Sequence, residues 1–201
     1  MASGKRKDAA RLTQELLDAG TNAQVIVEDG LVPGMAIVGE KFKNNKIFVP
    51  EMLIAARSMK GALALLEPHL VEAGVKPEFT VVIGTVQGDL HDIGKNLIGM
   101  MWEGAGFEVV DLGTNVAPET YLAAAIEHRP QIIGLSALLT TTMPAMRKTV
   151  QMLRESDQIN AKIVVGGAPI TPTFAEEIGA DGYAADAGTA VDIARDLVGT
   201  V

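Results

Sequence analysis

Beyond residue 78 the chain alternates short apolar runs with helix-length stretches, and this alternation limits the folds open to it. The runs are Val81 to Ile83, Phe107 to Leu112, Ile132 to Leu135, Ile163 to Val165 and a weaker Gly182 to Ala184. Between and after them lie candidate helices at about 93–104, 118–128, 144–155, 172–178 and 188–198. Strands covered by helices on both faces read as continuous apolar runs rather than as alternating ones. The pattern predicts an α/β domain with five parallel strands, doubly wound, and helices on both faces.

Residues 1 to about 74 read as helical throughout, so the chain divides into a helical domain, 1–74, and an α/β domain, 75–201. Leu12, Leu16 and Leu17 have helical spacing and precede a Gly20-Thr21-Asn22 break. Val25, Ile26 and Val27 open a second segment that is expected to stop near Gly30. Pro33 and Pro50 sit where a first helical turn accepts a residue without an N–H, and mark the starts of a third and a fourth helix around a polar turn, Lys43 to Lys46. The fourth, from Glu51 to about Leu66, carries Met52, Ala55, Ala56, Met59, Leu63 and Leu66 on overlapping faces, which suits burial in a four-helix bundle. Its methionines also suit plain core filling. Ala73 to Pro77 reads as a linker.

Composition narrows the function classes. The formal net charge of -8, with no basic patch of size, argues against nucleic acid or an anionic membrane as partner. The absence of cysteine excludes disulfides, zinc–thiolate sites, iron–sulfur clusters and thiol nucleophiles, so any metal is held by histidine, by carboxylates or by a prosthetic group. The first eight residues carry no apolar segment after their basic ones, and no run is long enough to span a bilayer. A soluble cytoplasmic protein is the expectation.

In a five-stranded sheet of flavodoxin-like, Rossmann-like order, strands one and three are neighbours and the ligand crevice opens at their carboxyl ends. The loop after strand one is Gly88-Asp89-Leu90-His91-Asp92-Ile93-Gly94. His91 can offer a neutral nitrogen lone pair, and Asp89 is placed to accept from its other ring nitrogen, as carboxylates do for metal-bound histidines. His91 is thus a candidate metal ligand, and glycines 88 and 94 let a bulky partner approach. The loop after strand three holds Ser136, Leu138, Thr140 and Thr142; strand four ends in Gly166-Gly167, where bare backbone suits a flat ligand; strand five leads to Asp186. These loops converge on one edge.

Simpler readings compete. Gly88 to Asn96 resembles a phosphate loop, with one residue too many and Asn96 where a magnesium-binding hydroxyl belongs. A phospho-receiver would share the sheet and could use Asp89, but the lysine expected after its last strand is missing. Residue types alone also leave open a structural histidine in a satisfied loop. His69 and His128 read as surface residues, the latter favoured by its helix C-terminus.

Asp89-x-His91-x-x-Gly94, Ser136-x-Leu138 and Gly166-Gly167, in this order on these strand ends, resemble the cobalamin-binding fingerprint. Phe48-Val49-Pro50-Glu51, Ala56-Arg57-x-Met59-Lys60 and Leu66-Glu67-Pro68 resemble the helical cap of the corrinoid proteins of methyltransferase systems and of the cobalamin module of methionine synthase. The likeness spans nearly the whole chain.

The resemblance implies a cobalamin cofactor, as methylcobalamin or a related corrinoid, bound base-off with His91 as lower axial ligand to cobalt. It implies that Asp89 hydrogen-bonds His91, with Thr142 where the family often has a serine. Ser136, Leu138 and Thr140 would line the channel for the nucleotide tail, Gly166 and Gly167 would flank it, and Asp186 would close the rim. Phe48 and the helix from Met52 to Met59 would cover the upper face, with 74–77 as a hinge. With cap and sheet alone, the implied role is a methyl shuttle. One partner is a donor-specific methyltransferase, a second methyltransferase acts on tetrahydrofolate or a thiol coenzyme, and a reductive activation protein serves the cofactor. The alternatives are a cobalamin-sensing regulator, for which no basic helix-turn-helix precedes residue 9, and the small subunit of a cobalamin-dependent mutase, which lacks this cap.

Overall fold

The computed structural model describes residues 6–75, 77 and 79–199. Residues 1–5 lie outside the described residues, as does Lys76 of the expected linker and hinge. The chain falls into two compact units, one of Met1–Glu78 with Met100–Phe107, the other of Phe79–Gly99 with Glu108–Val201.

The first unit is helical. It comprises α1 (Arg6–Asp18), a short α2 (Ala23–Val25), a π-helical turn over Ile26–Leu31, α3 (Val32–Lys43) and α4 (Val49–Glu72). The expected stop near Gly30 does not occur. The helix runs on through the π turn, in which the Val32 N–H donates to Val27 O. Ile26 and Leu31 are both buried. Five residues apart, they would sit about 140° from each other around an α-helix; the wider turn brings both to the buried side.

α4 likewise outruns its expected end at about Leu66. Glu51 accepts from the Phe48 N–H at its start, 3.0 Å, and Pro50 stands in the first turn. Pro68 removes one N–H without stopping the helix, which closes where Ala73 N donates to His69 O and Gly74 turns left-handed, φ +68. Met35, Met52, Met59, Ala62 and Leu66 are buried in this unit, so its methionines serve its core.

The second unit holds five strands: β1 (Thr80–Thr85), β2 (Glu108–Asp111), β3 (Ile132–Ser136), β4 (Lys162–Gly166) and β5 (Gly182–Ala184). All pair in parallel in the order β2-β1-β3-β4-β5, with Val82 beside Ile133 and Ile133 beside Ile163. These three side chains are fully buried, as the continuous apolar runs require. The helices between and after them are α5 (Ile93–Gly104), whose residues from Met100 on belong to the first unit, α6 (Pro118–His128), α7 (Met143–Arg154), α8 (Pro172–Glu177) and α9 (Ala187–Val198). The order puts the carboxyl ends of β1 and β3 side by side, Thr85 against Ser136, and so places the loops after them together. Among the described residues, no helix is long and apolar enough to cross a membrane.

Candidate functional site

The loop after β1 is anchored at and around its candidate residues. Val86 N donates to Ser136 O at 3.0 Å, Asp89 N to Val86 O at 3.1 Å, and the Thr85 hydroxyl to His91 O at 2.9 Å. Gly88 makes the turn between them with φ +84, a conformation that side chains other than glycine's resist.

Asp89 is the centre of the site. Its side chain is fully buried, yet both carboxylate oxygens are engaged. Oδ1 accepts from the His91 backbone N–H at 3.0 Å and faces His91 Nδ1 at 2.7 Å. Oδ2 accepts from Leu138 N at 2.7 Å, Leu139 N at 3.3 Å and the Thr142 hydroxyl at 2.9 Å. Burial pushes the Asp89 carboxyl up. The backbone bonds from His91 and Leu138 and the side-chain bonds from His91 and Thr142 together outweigh that, and hold it well below the usual carboxylate range.

An ionised carboxylate only accepts, so the 2.7 Å contact requires the proton to sit on His91 Nδ1. In the neutral ring Nε2 then keeps its lone pair, on a side chain that is half exposed. Thr142 lies in a 3-10 turn, Thr140–Thr142, and is itself buried. Its single hydroxyl proton is shared between Asp89 Oδ2 and Leu139 O, both at 2.9 Å.

The other expected residues take varied places. Leu90, Ile93 and Leu138 all expose large apolar side chains, 72%, 72% and 43%, a surface suited to covering by an apolar ligand. Thr140 is exposed, Ser136 partly buried at the end of β3. Asp92 accepts from the Asn96 side chain, 3.1 Å, and Gly94 has open space where a Cβ would stand. Asp186 is the N-cap of α9, accepting from Gly188 N at 2.8 Å and Thr189 N at 2.9 Å.

The paired glycines also have a packing reason. A Cβ on Gly167 would lie 1.8 Å from Ala137 O, and one on Gly166 would lie 2.8 Å from Ala184 O, so backbone of neighbouring segments approaches both positions. Phe48 and Met52 belong to the helical unit, where Phe48 is 63% exposed and Met52 fully buried.

Two contributions escaped the sequence reading. Lys95 is buried and donates to both oxygens of Asp111, 2.6 and 2.5 Å, and to Asn96 Oδ1, so it is not held out toward a phosphate. Asn115, in the loop after β2, accepts from Gly88 N at 2.8 Å and donates its own N–H to Asp89 O at 2.9 Å. Nothing local in the sequence marks either pairing, since each partner lies more than a dozen residues away.

Among the described residues no group of three or more His, Asp or Glu side chains is placed to hold a bare metal ion. One oriented imidazole supplies a single donor, so a metal here must bring its other ligands with it, as the cobalt of a corrinoid does. The half-exposed histidine amid exposed Leu90, Ile93 and Leu138 fits such a group.

A family model described as a B12 binding domain matches residues 79–192, and a second model with the same description matches residues 1–67. A corrinoid protein of Desulfitobacterium hafniense is 40% identical over 200 residues, covering 98% of this chain and 93% of that protein. Dimethylamine corrinoid protein 1 of Methanosarcina acetivorans is 38% identical over 195 residues, covering 96% of this chain and 92% of that one. Among solved structures, the methanol:cobalamin methyltransferase complex MtaBC of Methanosarcina barkeri superposes with a TM-score of 0.86 at 30% identity, over 99% of this chain and 77% of that one. The sheet with its oriented histidine is thus the core of a cobalamin-binding protein. More narrowly, the chain belongs to the corrinoid proteins of methyltransferase systems. Its cofactor is a corrinoid.

Proposed function

We propose that this chain carries a methyl group between two methyltransferases, with its corrinoid bound base-off and His91 Nε2 as the lower axial ligand. The observation that supports this reading most is the Asp89–His91 pair, in which Nδ1 is committed to a buried carboxylate at 2.7 Å. When bound, the corrinoid supplies a cobalt centre that accepts and releases a methyl group. The chain's own part is to present Nε2, to fix the direction of the ring and to set its basicity through the carboxylate. Were the ring to leave the metal, Nε2 would be free to accept a proton, and the Asp89 carboxylate on Nδ1 would face the cation; Thr142 and the Leu138 N–H hold Oδ2 in place for that contact.

Around this centre we assign Gly88, Leu90, Asp92, Ile93 and Gly94 to the loop that meets the corrinoid. Ser136, Leu138 and Thr140, flanked by Gly166 and Gly167, take the nucleotide tail, and Asp186 stands at the rim. The first partner is a donor-specific methyltransferase that loads the cofactor. The second is a methyltransferase delivering to tetrahydrofolate or a thiol coenzyme, and a reductive activation protein returns oxidised cofactor to service. The relatives named for dimethylamine and the methanol:cobalamin complex support a small methylated donor of the same class.

The test is reconstitution with hydroxocobalamin, followed by visible spectra of wild type and His91→Ala. A nitrogen-ligated spectrum in the wild type and a water-ligated one in the variant are expected. Identical spectra contradict the axial assignment. With methylated cofactor loaded, loss of the methyl group only on adding an acceptor methyltransferase supports the shuttle; loss without any partner contradicts it.

A further inference from the structure

Asp89 is held on two sides. The loop after β3 grips its carboxylate; the loop after β2 grips the backbone that carries it. In the second grip one residue does both jobs. Asn115 Oδ1 accepts from Gly88 N at 2.8 Å, and Asn115 N donates to Asp89 O at 2.9 Å. These contacts fix the peptide plane before Gly88 and the one after Asp89, and so set the direction in which the Asp89 Cα–Cβ bond carries its carboxylate toward Leu138, Thr142 and His91.

The mount for this clamp is rigid. Thr85 N donates to Gly113 O and Val116 N to Thr85 O, each at 2.9 Å, and Val86 pairs with Val116 in a parallel bridge. Asn115 has φ +54, a left-handed conformation that asparagine, aspartate and glycine tolerate and most residues do not. Its side chain is exposed, so it fills no core. An exposed asparagine in a strained turn, bonded on both sides of Asp89, is better explained by placement of the turn than by packing.

We propose that Asn115 is a positioning residue for His91, acting through the Gly88–Asp89 turn to keep the proton on Nδ1 and the lone pair on Nε2. The consequence for cobalt rests on the axial-ligand reading above; the effect on the histidine tautomer does not.

The experiment uses the full chain without cofactor and reads the ring nitrogen shifts of His91 by NMR, at a pH high enough for a neutral ring. Three forms are compared: wild type, Asn115→Gly and Asn115→Asp. Glycine accepts the same φ and loses the side-chain acceptor; aspartate keeps the acceptor. In wild type the Nδ1–H tautomer dominates. Asn115→Gly raises the Nε2–H population about threefold to tenfold, the scale of one hydrogen bond, and Asn115→Asp restores the wild-type ratio. Thermal unfolding of each form separates this from a general loss of stability. An unchanged ratio in Asn115→Gly overturns the proposal, and so does a change that Asn115→Asp fails to reverse. In parallel, the cobalt(II) form of the reconstituted wild type is examined with nitrogen-15 histidine. If that label leaves the axial hyperfine pattern unaltered, the ligand reading fails while the tautomer result stands by itself.

Discussion

Thr142 Oγ1 lies 2.9 Å from Asp89 Oδ2, a buried contact between residues 53 positions apart in the chain. It ties the loop after β3 to the loop after β1 at the carboxylate that orients His91. Thr142→Val removes the hydroxyl and keeps the volume, leaving Oδ2 with the Leu138 and Leu139 amides alone. Its cost should be about 1–2 kcal/mol in chemical unfolding. Thr142→Ser keeps the bond and should cost less. Equal stability of the valine variant and wild type would contradict a stabilising role for the hydroxyl toward either of its acceptors, Asp89 Oδ2 and Leu139 O.

Asp89→Asn keeps the shape of the side chain and replaces one acceptor by a donor. Whichever way the amide turns, its NH2 meets an N–H: that of His91 on one side, that of Leu138 on the other. The Asp89 side chain is fully buried, so water does not reach it to relieve the clash. A loss of about 1–3 kcal/mol is expected in urea unfolding of the cofactor-free chain. A loss within error of zero contradicts the hydrogen-bond pattern.

The same carboxyl sets a pH dependence. Its folded pKa lies below the ordinary range, so the stability it contributes is complete above the unfolded aspartate value of about 4 and is lost as pH falls below it, toward the folded value. Asp89→Asn has no such proton to bind. The gap in unfolding free energy between wild type and variant should therefore be widest near neutral pH and narrow below pH about 4. A gap of constant size through that range contradicts the ionised, hydrogen-bonded carboxylate.

The sheet was legible because parallel strands covered on both faces leave unbroken apolar runs, as at Val81 to Ile83, and because the order β2-β1-β3-β4-β5 follows from the doubly wound rule. Asp89 and His91 were legible because two residues on one turn are close whatever the tertiary fold. Departures came where packing overrode a local stop signal: Gly30 inside a continuing helix, Pro68 inside α4. Partners set by tertiary structure stayed hidden, among them Asn115 on the Gly88–Asp89 turn and Lys95 on Asp111. So did the packing reason for Gly166 and Gly167, a neighbouring backbone that no local pattern announces.

Gly167 provides a test of that packing. Its φ is +128, and a Cβ there would meet Ala137 O at 1.8 Å, an overlap that only backbone movement relieves. Gly167→Ala should cost upwards of about 2 kcal/mol and lower the melting temperature of the cofactor-free chain by several degrees. A melting curve superimposable on wild type contradicts the close approach of the loops after β3 and β4.

The most direct test of the central claim is electron paramagnetic resonance of the chain reconstituted with cobalamin and reduced to cobalt(II), prepared with natural and with nitrogen-15 histidine. His69 and His128 are exposed and lie outside the site loops, so His91→Ala, prepared alongside, assigns the signal to one ring. The account predicts an axial nitrogen splitting that changes on labelling and vanishes in the variant. A wild-type splitting indifferent to the label, or one that changes on labelling and still does so in His91→Ala, would show that the axial nitrogen is not that of His91.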